Sequence, residues 1–206
     1  MQRDRHGEVT HRRYWKLEAP LDSPDGQRLP IPDVVTTRRE YSGSILDVRV
    51  DSVREADGTS YERVVVEYGV AVVLVPVDAD GRLLMVRQYR HPAGRWLLEL
   101  PAGGVDERDA TPEAAALREL REETGHRGTL TRIGGLFLAP GYSDEYQHIY
   151  LARDLRPDPL EADEDEDLVL ERVSLDDALA LVDSGEICDA KSVAALLMYL
   201  RHTGRA

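Results

Sequence analysis

"LRELREETGH", Leu117–His126, sets three glutamates within five residues and then reaches a turn signal at Thr124 and Gly125. Extended back to Glu99, the stretch reads "ELPAGGVDERDATPEAAALRELREETG". Thr111 can cap a helix and Pro112 suits its first position, so the spacing predicts a helix from there to Thr124, stopped by Gly125. Glu119 and Glu123 are four apart and share a face of that helix; Glu122 borders the same stripe. Ala114, Ala115, Ala116, Leu117 and Leu120 supply the packed side. Two carboxylates about 4 Å apart repel by roughly 4 kcal/mol at an effective dielectric near 20. Such a cluster is stable when solvated, when paired with Arg118 and Arg121, or when holding a metal ion. Its hard oxygen donors suit Mg²⁺, which commonly keeps waters and joins substrate phosphates.

Strand patterns flank this helix. "SILDVRV" (Ser44–Val50) and "YERVVVEY" (Tyr61–Tyr68), with the Asp57-Gly58 turn between them, read as a hairpin. "VAVVLVPV" (Val70–Val77) is apolar almost throughout and predicts a central strand buried on both faces. "RLLMVRQY" and "WLLEL" follow as strands. Beyond the helix, "LTRIGGLFLA" and "YQHIYLA" are strands on either side of a loop at Pro140–Glu145. An acidic run, Glu161–Asp167, leads into the strand "LVLERV". Ser174 caps a helix, and a last helix covers about Ala190–Arg201. Pro20–Pro32 is rich in Pro, Asp and Gly and reads as loop. The order predicts α/β or α+β packing, with helices covering mixed β-sheets and an N-terminal antiparallel sheet. The boundaries expected are an N-terminal extension over 1–39, partly loop; N-terminal strands over 40–68; and the main domain over 69–206.

The chain has 206 residues and a formal net charge of -13. An acidic field repels phosphate backbones, so nucleic acid is not the expected partner. The single cysteine, Cys188, excludes an intrachain disulfide framework. No run of 18 apolar residues occurs, so no membrane span is expected, and the chain reads as soluble and cytoplasmic. The six histidines show no ligand spacing. Diphosphate recognition calls for cations, and Arg90 and Arg87, on and after a buried-looking strand, are the candidates; pairing with the acid-rich surface is the alternative reading for both. Tyr142 is read equally as a stacking group or as cover for the core.

The segment Glu99–Gly125 resembles the Nudix box of the Nudix hydrolases, with Arg118, Glu119, Leu120, Glu122, Glu123 and Gly125 at the family's spacing. "YRHPAGRWLLELPAGG" (Tyr89–Gly104), "APGYSDE" (Ala139–Glu145), "ADEDED" (Ala162–Asp167) and "VDSGEICDAKSVAALLMYL" (Val182–Leu200) resemble the ADP-ribose pyrophosphatase branch. The likeness spans about residues 44–203. Two positions depart: where a glutamate is expected stands Ala110, and Asp109 takes its place across a one-residue insertion; His126 stands where an apolar residue is expected.

The resemblance implies the Nudix fold and Mg²⁺-dependent hydrolysis of ADP-ribose to AMP and ribose 5-phosphate, with Mn²⁺ as the alternative ion. Implied metal ligands are Glu119, Glu122, Glu123 and the carbonyl of Ala102. Arg118 orients a box glutamate. Glu164 is the implied general base and Glu166 aids metal or water binding; Glu145 is the rival base. Gly103 is the box glycine, and Pro140 shapes the substrate cleft together with Gly141 and Glu145. A homodimer is implied, with residues 40–68 as the dimerisation region. Two alternatives stay open: another nucleoside diphosphate sugar as substrate, or a lapsed enzyme that binds nucleotides without turnover.

Overall fold

The computed structural model describes residues 30–160 and 168–204. In chain order the strands are β1 (Asp33–Ser42), β2 (Asp47–Arg54), β3 (Ser60–Glu67), β4 (Val70–Pro76), β5 (Leu83–Arg90), β6 (Arg95–Glu99) and β7 (Ala102–Gly104). Helix α1 (Pro112–Thr124) is followed by β8 (His126–Phe137), β9 (Tyr146–Pro157) and β10 (Leu168–Val173). Helices α2 (Leu175–Ser184) and α3 (Ala190–His202) close the chain. The architecture is the mixed α/β one expected, with an N-terminal antiparallel sheet.

Two compact units divide the chain. Among the described residues, one holds those up to Gly69 together with Ala139–Tyr146; the other holds Val70–Leu138 and those from Gln147 on. In the first, β1, β2 and β3 form an antiparallel meander. Every residue of β1 is exposed. Three acids, Asp47, Asp51 and Glu67, are buried on this small sheet, where Arg39 and Arg49 bind them. The segment from Ala139 runs along β3: the amide of Val66 donates to Tyr142 O (2.7 Å), and that of Asp144 to Val66 O (3.2 Å).

In the second unit β4 is the central element. It lies between β7 and β9 in a sheet of order β7-β4-β9-β8, and β10, β5 and β6 form a second sheet. Because strand side chains alternate, β4 feeds two cores. Val73 and Val75 join Met85, Leu98, Leu100, Ile149 and the α3 residues Ala195, Leu196 and Tyr199. Val72 and Leu74 join Ala115, Ala116 and Leu120 of α1. The continuous apolar reading of Val70–Val77 therefore describes a strand covered on both faces. Each fully buried Val or Leu contributes about 1.5–3 kcal/mol to holding the helices there.

Strand β1 begins inside the stretch read as N-terminal extension, ahead of the first strand expected from sequence. Strand β7, three residues of Ala and Gly, was not expected either; pairing with β4 (Ala71↔Gly104, Val72↔Gly103, Val73↔Ala102) creates it.

Candidate functional site

Helix α1 forms as its end signals require. The Thr111 side chain accepts from the amide of Ala114 (3.1 Å), Pro112 occupies the first turn, and Gly125 (φ 72°) returns its amide to Arg121 O and Leu120 O. Ala115, Ala116 and Leu120 press on β4, which turns Glu119 and Glu123 toward β7. Both glutamates are buried, at 7% and 8% exposure.

Three contacts tie this carboxylate face to the β7 backbone. Glu123 Oε2 accepts from the Ala102 amide (3.1 Å). The carboxylate of Glu119 lies against the Cα of Gly103, in the space a Cβ would fill. The carbonyl of Gly104 accepts from Arg118 Nη2 (2.9 Å). Gly103 is needed for the room it leaves, since its φ is not in the left-handed region.

Arg118 organises the acids. Its Nη1 donates to Glu119 Oε1 (2.6 Å) and Glu122 Oε2 (2.8 Å); Nε and Nη2 donate to the two oxygens of Asp109 (3.2 and 2.9 Å). Burial works against the guanidinium's charge, and the surrounding carboxylates outweigh it, raising its pKa above the ordinary value. Burial likewise pushes the Asp109 carboxyl up, but the hydrogen bonds from Arg118 and from the Asp106 amide hold it below the usual range. Asp109, aligned from sequence with the missing box glutamate, is thus the acid that grips the box arginine.

The other candidates are distributed as follows. Arg90, at the end of β5, donates from Nε and Nη2 to Glu99 (3.0, 3.2 and 2.7 Å). Arg87 donates to Glu171 (2.5 Å) and Glu186 (2.7 Å). Both arginines are therefore engaged with acids, Arg90 with a buried glutamate and Arg87 with two partly exposed ones. Pro140 lines a cleft of about 270 Å³ in the N-terminal unit, with Arg63, Val64, Tyr142 and Asp144. The Glu145 amide donates to Ser143 Oγ (3.2 Å). Tyr142 is 60% exposed, so it does not cover the core. Glu164 and Glu166 lie outside the described residues.

Sequence reasoning passed over Glu99, Lys191 and Ser192. Glu99 is 2% exposed, bound by Arg90 and by Lys191 Nζ. Burial raises its pKa, and the Arg90 and Lys191 charges more than offset this and bring it below the normal value. A lone charge inside "WLLEL" was the available signal.

Among the described residues no three His, Cys, Asp or Glu side chains stand together at metal-ligating spacing. In this arrangement Arg118 draws Glu119 and Glu122 onto its own guanidinium. The donors nonetheless fit a hard divalent cation: glutamate oxygens on one helix face, a facing backbone, and a glycine that lets carboxylate and backbone approach closely.

A family model described as the NUDIX domain matches residues 67–196. The chain is 40% identical over 159 residues to the ADP-ribose pyrophosphatase of Bacillus subtilis (strain 168), covering 76% of this chain and 85% of that protein. It is 37% identical over 168 residues to the ADP-ribose pyrophosphatase of Mycobacterium tuberculosis, covering 80% and 81%. A solved structure described as an ADP compounds hydrolase superposes with a TM-score of 0.75 at 27% identity, covering 85% of this chain and 97% of that one.

Proposed function

The chain belongs to the Nudix family of hydrolases, and on that premise we propose that it hydrolyses the diphosphate of ADP-ribose to AMP and ribose 5-phosphate with Mg²⁺. The observation that carries the reading is the Glu119–Glu123 face set against Ala102 and Gly103, with Asp109 on the box arginine. The family implies dependence on a divalent cation in general. Glu119, Glu122, Glu123 and the carbonyl of Ala102 would hold Mg²⁺ or Mn²⁺. When bound, the ion polarises the phosphorus and offsets the diphosphate charge. That lets an acidic protein take an anionic substrate.

The chain's own residues have distinct tasks in this reading. Arg118 keeps Glu119 and Glu122 oriented, and Asp109 keeps Arg118 in place. Glu164 takes the proton of the attacking water at one of its carboxylate oxygens. Glu166 assists in holding water, and Glu145 is the rival base. Arg90 and Arg87 are the candidate cations for the diphosphate in this reading, each of them also paired with glutamate. Pro140 shapes the substrate cleft. The presence of Glu119, Glu122, Glu123 and Glu164 argues against a lapsed enzyme. The subunits pair through residues 40–68; exposed Tyr41, Ile45 and Val64 in that region support this. Among the described residues no helix is long and apolar enough to cross a membrane.

The test is a panel of ADP-ribose and other nucleoside diphosphate sugars, scored by product release with Mg²⁺, with excess EDTA, and after Mn²⁺ replacement. ADP-ribose should be cleaved fastest, chelation should abolish turnover, and either ion should restore it. Full activity in EDTA removes the metal from the mechanism. Preference for another sugar reassigns the substrate. Nucleotide binding without turnover makes the chain a lapsed enzyme.

A further inference from the structure

The segment Glu99–Gly104 links two helices that carry different chemistry. On one side it meets α1, through Ala102 with Glu123 and Gly103 with Glu119. On the other it is held by the first turn of α3. Lys191 Nζ donates to Glu99 Oε2 and to Asp189 Oδ1 (2.9 Å). Ser192 Oγ accepts from the Leu100 amide (2.8 Å), with both residues fully buried. Asp189 caps the helix by accepting from the Ser192 amide (3.0 Å), so the two holding groups are themselves fixed. Between these attachments the carbonyl of Pro101 accepts from the Leu74 amide (2.9 Å).

Successive groups of the segment are thus assigned one after another. The Glu99 carboxylate and the Leu100 amide have partners on α3, the Pro101 carbonyl on β4 and the Ala102 amide on α1. A peptide unit fixed on both sides has little freedom to rotate. That unit is Pro101–Ala102, which directly precedes the Ala102 carbonyl.

We propose that Lys191 and Ser192 are positioning residues for the reaction: through Glu99 and the Leu100 amide they aim the Ala102–Gly103 backbone at the α1 carboxylates. The inference rests on the hydrolase reading, in which those carboxylates and the Ala102 carbonyl hold the cation. Neither residue touches substrate in this account. Both act through the backbone they hold.

The experiment uses the full chain stripped of metal, as wild type and as Ser192→Ala, Ser192→Thr, Lys191→Met and Lys191→Arg. Mn²⁺ affinity is read without substrate, from the electron paramagnetic resonance of the free ion. Amide resonances of Ala102 and Gly103 are read in the metal-free protein, and melting temperature in the same samples. Partners that orient metal ligands usually change affinity by about 10- to 100-fold when lost, so Ser192→Ala and Lys191→Met should each weaken Mn²⁺ by about 10-fold. They should also shift the Ala102 and Gly103 amides. Ser192→Thr, which keeps the hydroxyl, and Lys191→Arg, which keeps the charge, should recover most of the affinity. Unchanged Mn²⁺ affinity and unchanged amides in the Ala and Met variants, even with a lower melting temperature, overturn the proposal. If Ser192→Ala does not fold, the Lys191 pair decides, because Arg90 still neutralises Glu99 there. A wild type that binds no Mn²⁺ and cleaves no ADP-ribose overturns the hydrolase reading itself, and is recognised before any variant is compared.

Discussion

Gly103→Ala is the substitution that most directly probes the carboxylate face. A Cβ at this position would stand 2.5 Å from Oε2 of Glu119, and nearer still to its Cδ and Oε1. Ordinary contact begins at 3.4 Å, so even the farthest of these atoms must retreat by 0.9 Å and the others by more. The backbone need not move, because Gly103 is not in the left-handed region and its strand pairing with Val72 accepts any L residue. The carboxylate must therefore swing. In doing so it leaves the geometry in which Oε1 accepts from Arg118 (2.6 Å). A misplacement of about 1 Å at a reacting centre can cost about 10²-fold in rate. Stability should change little: Ala in place of Gly in a strand contributes roughly 0.5–1 kcal/mol, which offsets about one disturbed hydrogen bond. The assay is kcat/KM for ADP-ribose at saturating Mg²⁺ alongside the melting temperature. The expected result is a loss of about 10²-fold in a protein that melts within a few degrees of wild type. A folded Gly103→Ala variant with near-wild-type activity would show that Glu119 is not held at the reaction centre by this contact.

Three further outcomes follow from the same geometry. Glu123→Gln should lose more activity than Asp109→Asn, since the first removes a proposed ligand and the second leaves Arg118 its bonds to Glu119 and Glu122; Asp109→Asn should cost about 10-fold, and equal modest losses would refute the alignment. Glu164→Gln should reduce kcat by about 10²- to 10⁴-fold with little change in ADP-ribose affinity, measured in parallel with Glu166→Gln and Glu145→Gln. A loss confined to Glu145→Gln moves the base to the "SDE" turn, and equal losses at Glu164 and Glu166 assign them a joint role. Sedimentation at micromolar concentration should give a mass near twice that of one chain, and a strictly monomeric, fully active species removes the subunit pairing.

Legibility varied with how local the determining physics is. The bounds of α1 follow from Thr111, Pro112 and Gly125, each of which acts within one turn of its own position. The double burial of β4 follows from an unbroken apolar run. By contrast, β7 has no strand propensity of its own; it is a strand because β4 lies beside it. Strand β1 is exposed along its whole length, so the alternation that marks a half-buried strand is missing from its sequence. The site divides in the same way. Three glutamates on one stripe can be counted from spacing, but not that Gly103 stands under Glu119. The partners of Arg87, Glu171 and Glu186, arrive from 84 and 99 residues away. Lys191 is one of only two lysines in a chain otherwise served by arginine, and its burial beside Glu99 depends on two distant elements meeting.

The arrangement separates charge from placement. Helix α1 supplies the acidic oxygens, and a solvated acidic helix could do as much. What such a helix lacks is a fixed backbone across from it. Here that backbone is an Ala-Gly segment with little side-chain bulk, paired with β4 and preceded by Leu100, whose amide α3 holds. Substitutions on α1 therefore remove charge while leaving the opposing wall intact. A substitution at Ser192 leaves every carboxylate present and disturbs only how the facing backbone is held. The two groups should part in their response to cation concentration. A missing carboxylate cannot be replaced by more Mg²⁺, whereas weakened placement lowers affinity and is overcome in part as Mg²⁺ rises. Activity plotted against Mg²⁺ should thus approach wild type at high concentration for Ser192→Ala and stay low for Glu123→Gln. Curves of the same shape for both would mean that the wall and the helix act as one unit.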